Sequence, residues 1–541
     1  MNLRRLDSKQ RLTVCVLISF LLIGIVAYYP VLNSFFLSDD FAQIGKILDG
    51  DFSPTWGLEQ GGFFRPLFIL SYVIDSKLWG RNPVGYHLTN TVYHSINSFL
   101  VFVLAIQLTR FTTLNVQKVY WFAGVAGVLF LVLPSHTEAV SWISGRGDVI
   151  ATTFSLLSVI SYLGYRRGRS LLLPGALICF ALALLTKESA VCVPLVILAI
   201  EVTTSLDRND IGSSLKKPFA SFLLFLAVLA IYAAVRFGVL GTFVGGYGTS
   251  YHLDFRLSVL WNRLPRFLLR SIFPPVPEEL SPILLKPLKS WIFILLFVLG
   301  AGILTFALIY RNRRWGFAVR REQNRFLLLL LVAWLVCLLP VVTMSISVFD
   351  VAGERWIYLP SVFTCIALAY ICVAFFPENK RFITWTLLLV VFYSLTLYRS
   401  NRTWNEAAKL SSGLLNDLVV SSRQNLLILN VPDNLNGATV FRNGIEQALK
   451  NFQNKKHIGR VDVVAFHSIK SPYDRIETTK EFERLKISLT REQDAFVRVN
   501  DKLACVKTEL QSQRSLDVQL NNCPGDEDLF SFSGGRMWKL P

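Results

Sequence analysis

Residues 12–44, LTVCVLISFLLIGIVAYYPVLNSFFLSDDFAQI, run an apolar segment straight into two adjacent carboxylates, Asp39 and Asp40. A helix needs about 20 mainly apolar residues to cross the hydrocarbon of a bilayer, and the first part of this stretch supplies them. No small-residue cleavage site follows, so the segment reads as a retained anchor. The acidic pair then stands at a membrane surface, where an ion drawn into hydrocarbon costs several kcal/mol. Two neighbouring acids there need a reason.

The rest of the chain repeats the apolar theme. Its 541 residues are 52% hydrophobic and 17% charged, with a mean hydropathy of +0.46, which is too apolar for an ordinary soluble domain. The same length ruler places spans near 12–32, 87–108, 119–134, 149–165, 171–186, 189–204, 219–240, 291–310, 326–347, 357–375 and 382–398, about eleven crossings of an α-helical polytopic membrane protein. The net charge of +18 needs no nucleic-acid partner, since arginines and lysines flanking spans on one side account for it and no recognition motif accompanies them. Arg4, Arg5, Lys9 and Arg11 precede the first span, and Arg166, Arg167, Arg169, Lys216, Lys217 and the 311–325 cluster fall in alternate loops, which are therefore expected on the cytoplasmic side with the N-terminus. Asp39 and Asp40, His136 to Glu138, Lys187 and Glu188, and Glu354 and Arg355 then share the opposite face with the polar tail.

Residues 255–273 are long enough to cross but carry Arg256, Arg263, Arg266 and Arg270, so an amphipathic helix on the outer surface is expected. The first outer loop, 33–86, predicts two short helices, the second opened by Pro66 and stopped near Gly80. Strand-like runs at 425–431 and 461–466 flank a helical stretch near 440–452. The chain thus divides into a transmembrane domain, 1–404, and a small soluble α/β domain, 405–541. Six cysteines lie in apolar spans, whereas Cys505 and Cys523 fall in polar sequence and form a candidate disulfide.

The candidate chemistry lies in the outer loops. Asp39 or Asp40 can serve as a general base, since a neighbouring carboxylate raises the proton affinity of one of the pair. The plainer alternative is helix capping, and Asp40 with Gln43 fits the N-cap and N3 positions of a capping box. That leaves Asp39 as the preferred base. His136, Glu138, Arg146 and Asp148 crowd one loop; with no helical histidine pair they suit a hydrogen-bonded floor better than a metal site. Lys187, Arg355 and Arg65 are cations on the face where a lipid phosphate lies, and a phosphate leaving group needs positive charge as its bond breaks. For Lys187 and Glu188 the alternative is an interfacial ion pair. His87 and His94 are seven apart on one helical face, where core histidines are the commoner outcome; His87 is the better candidate, and Asn90 could bond a sugar.

Several of these stretches together resemble one family. Phe64-Arg65-Pro66-Leu67, Asn82 to Asn90, His136-Thr137-Glu138-Ala139-Val140 with Gly145-Arg146-Gly147-Asp148, Thr186-Lys187-Glu188 and Glu354-Arg355-Trp356-Ile357-Tyr358-Leu359-Pro360-Ser361 are similar, in order, to the membrane half of the transmembrane and tetratricopeptide-repeat O-mannosyltransferases. The resemblance implies the C-type glycosyltransferase (GT-C) fold and a polyprenyl-phosphate sugar donor. It also implies a base at the first acid of the pair, Asp39, with Glu188, Glu354 and Tyr358 shaping the site. No metal is required on this view, although a divalent cation stays open. The chain has a short tail where that family has its repeats, which points to a bacterial inner-membrane relative with a periplasmic C-terminal domain. Its expected partners are the lipid donor, membrane lipids, and a glycan, lipid or protein hydroxyl as acceptor. The rival classes are a lipid or small-molecule transporter and a non-catalytic assembly scaffold.

Overall fold

A computed structural model describes residues 8–53, 62–112, 114–205, 211–243, 256–278, 317–375, 379–421, 423–453, 458–481, 484–503, 505–521 and 527–540. The apolar segment of the opening stretch is helix α1 (Ser8–Leu32). Beyond it the first loop folds into α2 (Asp39–Leu48) and α3 (Pro66–Trp79), the two short helices expected. Pro66 takes the first turn of α3, where its missing N–H leaves no bond unmade, and Gly80 ends the helix with φ +57°. Pro83 opens α4 (Pro83–Leu108) in the same way, and α4 packs along α1.

Next come α5 (Val116–Val132), the short α6 (Thr137–Val140), α7 (Arg146–Tyr165), α8 (Leu172–Thr186), α9 (Val193–Ser205) and α10 (Ile211–Leu240). The cation-rich stretch is α11 (Leu257–Ile272), followed by α12 (Phe317–Leu338), α13 (Ser361–Phe375) and the 41-residue α14 (Asn379–Val419). Among the described residues six helices are long and apolar enough to cross a membrane, or seven if α5 and the segment after it, bent by 55°, make one span. Eleven spans are therefore more than the described residues show. The helix expected to reach residue 347 stops at Leu338, ahead of Pro340, because the residue before a proline is pushed out of the helical region. The apolar helices Leu172–Thr186, Gln323–Leu338 and Ser361–Ala374 are shorter than a full span, and the span expected near 291–310 lies outside the described residues.

As expected, α11 is amphipathic: Leu257 and Trp261 face outward while Phe267, Arg270 and Ser271 are buried. On the long helices Leu22, Val26, Ile231 and Leu395 are exposed, which suits contact with lipid chains.

The polar tail is an α/β unit. One sheet runs in the order β10 (Arg536–Lys539), β9 (Glu527–Ser533), β1 (Asn425–Leu435), β3 (Val461–Ile469), β6 (Ala495–Val499), with β2 (Ala438–Thr439) paired to β1. The second sheet is β4 (Ile476–Glu481), β5 (Arg484–Leu489), β8 (Ser515–Leu520), β7 (Val506–Ser512). β1 pairs in parallel with both β3 and β9, and its continuous burial matches a central strand. Helix α14 runs through residue 404 into this unit, so one rigid element joins it to the membrane body. Cys505 is disulfide-bonded, whereas Cys523 lies outside the described residues.

The tail docks directly on the first loop. Ser38 N–H donates to Val440 O at 3.0 Å, Phe41 stacks on Phe441 with ring centroids 5.8 Å apart, and Asn451 Nδ2 donates to Gly45 O at 3.1 Å. It also reaches the loop after α12: Val351 N–H donates to Asn436 O at 3.3 Å, and Lys470 Nζ lies 3.8 Å from Asp350.

Candidate active site

The acidic pair divides its labour by geometry. Ser38, at the N-cap of α2, has φ +48°, a left-handed value rare for a residue with a side chain. This turn puts Asp39 and Asp40 in the first turn of the helix. Asp40 is 1% exposed; it accepts hydrogen bonds from Leu37 N at 3.0 Å and Ser144 N at 2.9 Å, and from the Ser144 hydroxyl. Burial pushes its carboxyl up to about 7, against the opposing pull of those bonds and with the Asp39 charge adding to the rise. The capping box proposed for Asp40 and Gln43 is not formed: Ser38 holds the cap position with no side-chain cap bond, and Asp40 turns onto Leu37 and Ser144 instead. Asp39 is half-buried, and its Oδ1 accepts from Asn443 Nδ2 of the tail at 2.7 Å.

The loop that follows α5 folds tightly enough that a Cβ on Gly145 would fall 2.1 Å from Glu138 O, which excludes larger residues there. His136 and Glu138 leave it in different directions. His136 Nε2 meets Ser361 Oγ at 2.7 Å and packs on Tyr358, whereas Glu138 accepts from Arg355 N at 3.0 Å and faces its guanidinium at 3.5 Å. Burial raises the Glu138 carboxyl, and Arg355 opposes that rise. Arg146 is a buried strut: it pairs with Asp75 at 2.7 Å, donates to Asn90 Oδ1 at 2.9 Å and to Tyr86 O at 3.1 Å. Asn90 spends its amide on the carbonyls of Val140, Trp142 and Ile143, so the sugar contact suggested for it is taken up by backbone.

The three candidate phosphate ligands each face a carboxylate. Lys187 pairs with Asp148, Arg355 with Glu138, and Arg65 with Glu188 at 2.7 Å. Lys187 and Glu188 therefore do not pair with each other. Glu188 also receives Arg236 at 2.9 Å. Lys187 Nζ and the Arg355 guanidinium both lie over Trp356, 5.0 and 4.5 Å from the ring centroid. Arg355 also lies 5.1 Å from the centre of Trp142, whose Nε1 donates to Leu37 O at 3.4 Å. Only Ser38 separates Leu37 from Asp39, so cations from distant loops and the acidic pair meet in one region.

Glu354 lies behind this region, fully buried, pairing with Arg270 and accepting from Thr137 Oγ1 at 2.8 Å. Burial pushes its carboxyl up to about 8 despite those partners. Tyr358 OH bonds His94 Nδ1 at 2.7 Å and Leu131 O meets its Nε2 at 3.0 Å, so His94 is a satisfied core group; His87 Nε2 meets Ser34 O at 3.1 Å, while its buried Nδ1 has no hydrogen-bond partner among the described residues. The sequence reading passed over Asp75, Arg236 and the roles of Arg270, Arg442 and Asn443. Arg236 carried a signal, a lone cation near the end of an apolar span; Asn443 carried none. Although burial acts against it, Asp433 and then Asp39 and Glu138 raise the Arg442 guanidinium, so Arg442 stands in the field of both acids.

The chain is thus a polytopic membrane protein whose acidic and basic loops converge beneath a C-terminal α/β unit. Comparison with known proteins gives the resemblance its substance. The chain is homologous to protein O-mannosyl-transferases: it is 24% identical to TMTC3 of Homo sapiens over 518 residues, covering 86% of this chain and 54% of that protein. It is 33% identical to Tmtc1 of Drosophila melanogaster over 206 residues, 35% of this chain and 23% of that one. It is 30% identical to Tmtc2 of the same fly over 273 residues, 46% and 28% of the two. The chain spans about half the length of TMTC3 and less of the two fly proteins. No protein-family model matches it. Among solved structures, ArnT from Cupriavidus metallidurans bound to undecaprenyl phosphate superposes with a TM-score of 0.42 at 10% identity, covering 93% of this chain and 97% of that one.

Proposed function

We propose that this protein is a C-type membrane glycosyltransferase that moves a sugar from a polyprenyl-phosphate donor to an acceptor hydroxyl with inversion, on the extracytoplasmic face. The observation that carries the reading is that Lys187 and Arg355 lie over Trp356, and Arg355 also over Trp142, whose indole bonds Leu37 O two positions before half-buried Asp39; its homology to enzymes named for mannosyl transfer supports it. Asp39 takes the acceptor's hydroxyl proton as the oxygen attacks the anomeric carbon. The bond from that carbon to the phosphate oxygen breaks on the opposite face, and the leaving lipid phosphate carries its charge to Lys187, Arg355 and Arg65. Asp40, spent on Leu37 and Ser144, fixes the motif rather than reacting.

Purified protein in nanodiscs, supplied with polyprenyl-phosphate sugars and acceptors, is expected to form the new glycosidic bond, which neither a transporter nor a scaffold can do. Lys187→Ala and Arg355→Ala are expected to raise the KM for the lipid donor about tenfold or more, the scale of one charge-assisted contact. No bond formation by wild type, or donor kinetics unmoved by both substitutions, refutes the assignment.

A further inference from the structure

A cleft of about 450 Å³ opens in the C-terminal unit between the turn at 442–447, β3 and the end of β6. Its rim includes Asn443, the residue whose amide holds Asp39 Oδ1 at 2.7 Å. One end of the cleft therefore abuts the acid to which the base role falls. We infer that this cleft binds the acceptor, and that the acceptor is a neutral oligosaccharide; the inference rests on the transferase reading above and names the substrate class of that same site.

The charges of the lining decide the class. Arg442, Arg498 and Lys502 are matched by Glu446, Asp462 and Asp501. Three cations against three anions leave no surplus for a phosphate or an acidic sugar, which would need an excess of cations. Asn443, Gln447 and Asn500 add amides that both donate and accept. Sugar hydroxyls are donors and acceptors at once, so a balanced lining of carboxylates, amides and guanidinium groups satisfies them. The Arg498 guanidinium lies over the Phe466 ring, 3.9 Å from its centroid, and donates to Arg442 O at 2.7 Å. These contacts fix the long side chain in place, so less conformational freedom is lost when a ligand binds.

The test is an array of neutral oligosaccharides, phosphorylated or sialylated oligosaccharides, and Ser/Thr peptides, probed with the full-length protein in nanodiscs. Retention on neutral oligosaccharides is expected, weakened at least tenfold by Glu446→Ala with Lys502→Ala, two exposed positions, and by Arg498→Ala, and kept by Asp39→Asn. No retention, preference for anionic sugars or for peptides, or retention indifferent to all three cleft substitutions overturns the inference. Lost retention beside intact wild-type transfer removes the cleft assignment alone; retention without transfer from any lipid donor removes the transferase reading alone.

Discussion

Replacing Asp39 and, separately, Asp40 by asparagine should break the protein in two different ways. Asp39 is half-buried, and the bond it receives from Asn443 at 2.7 Å is one that an asparagine oxygen accepts equally well. Stability should therefore change by no more than about 0.5 kcal/mol. Loss of a general base, by contrast, costs about 100- to 10,000-fold in turnover, or about 3–5 kcal/mol of barrier. Asp40 reverses this balance. Donors from Leu37 and Ser144 converge on its two oxygens, so an asparagine amide must face one of them donor to donor, leaving a buried group unmet at about 1–3 kcal/mol. Its pH behaviour gives a second reading. Because the folded-state value near 7 lies above the ordinary 3.8, the folded protein holds a proton across that window which the unfolded chain has lost. Stability on this account rises as pH falls from 7 towards 4, by at most about 1.4 kcal/mol per pH unit for one proton, and Asp40→Asn removes that slope. Thermal unfolding in detergent between about pH 5 and 8, together with transfer from a lipid-phosphate sugar, measures both effects. Asp39→Asn turning over within tenfold of wild type, or Asp40→Asn abolishing transfer with stability and pH slope intact, refutes the division of roles.

Two further substitutions probe the frame around the site. Arg270→Met should destabilise by about 3–5 kcal/mol, because it strands Glu354 in a fully buried position; Glu354→Gln in the same chain should restore part of that loss, as a thermal-shift double-mutant cycle will read. Gly444→Ala should lower transfer more than it lowers the thermal stability of the full-length protein: at φ +81° its Cβ would fall 2.8 Å from Ser38 O and 3.0 Å from the Phe41 Cβ, displacing the start of α2. Unchanged transfer by a folded Gly444→Ala protein would show that the tail does not set the position of the acidic pair.

Much of the architecture was open to reading from the chain itself. Apolar length located the long helices, Pro66 and Gly80 bracketed α3, and the strand-like runs near 425 and 461 are two strands, whose parallel pairing the structure adds. The expected span 119–134 matches its helix, whereas the one expected to reach 347 overran a helix that stops at Leu338 before a proline, since composition measures apolar length but not the path of the backbone. The candidate site was legible as a set of charged loops, but the pairing within it was not. Nothing local in Lys187 announces Asp148 rather than Glu188, because an ion pair depends on where two helix ends come to rest. Arg270 looked like one of four surface cations until α11 turned it inward onto Glu354.

What the sequence determined by itself is the solvent each segment requires: hydrocarbon for the long apolar helices, water for the acidic loop and the tail. That follows from transfer free energy, which is a property of composition along the chain. Only the tertiary structure decided that Asp40 is a buried brace while Asp39 stays accessible, and that the tail places Asn443 and Arg442 beside an acid about 400 residues earlier. Those outcomes depend on burial and on distances across the fold, because the strength of a charge and the reach of a hydrogen bond are set by neighbours in space rather than in order.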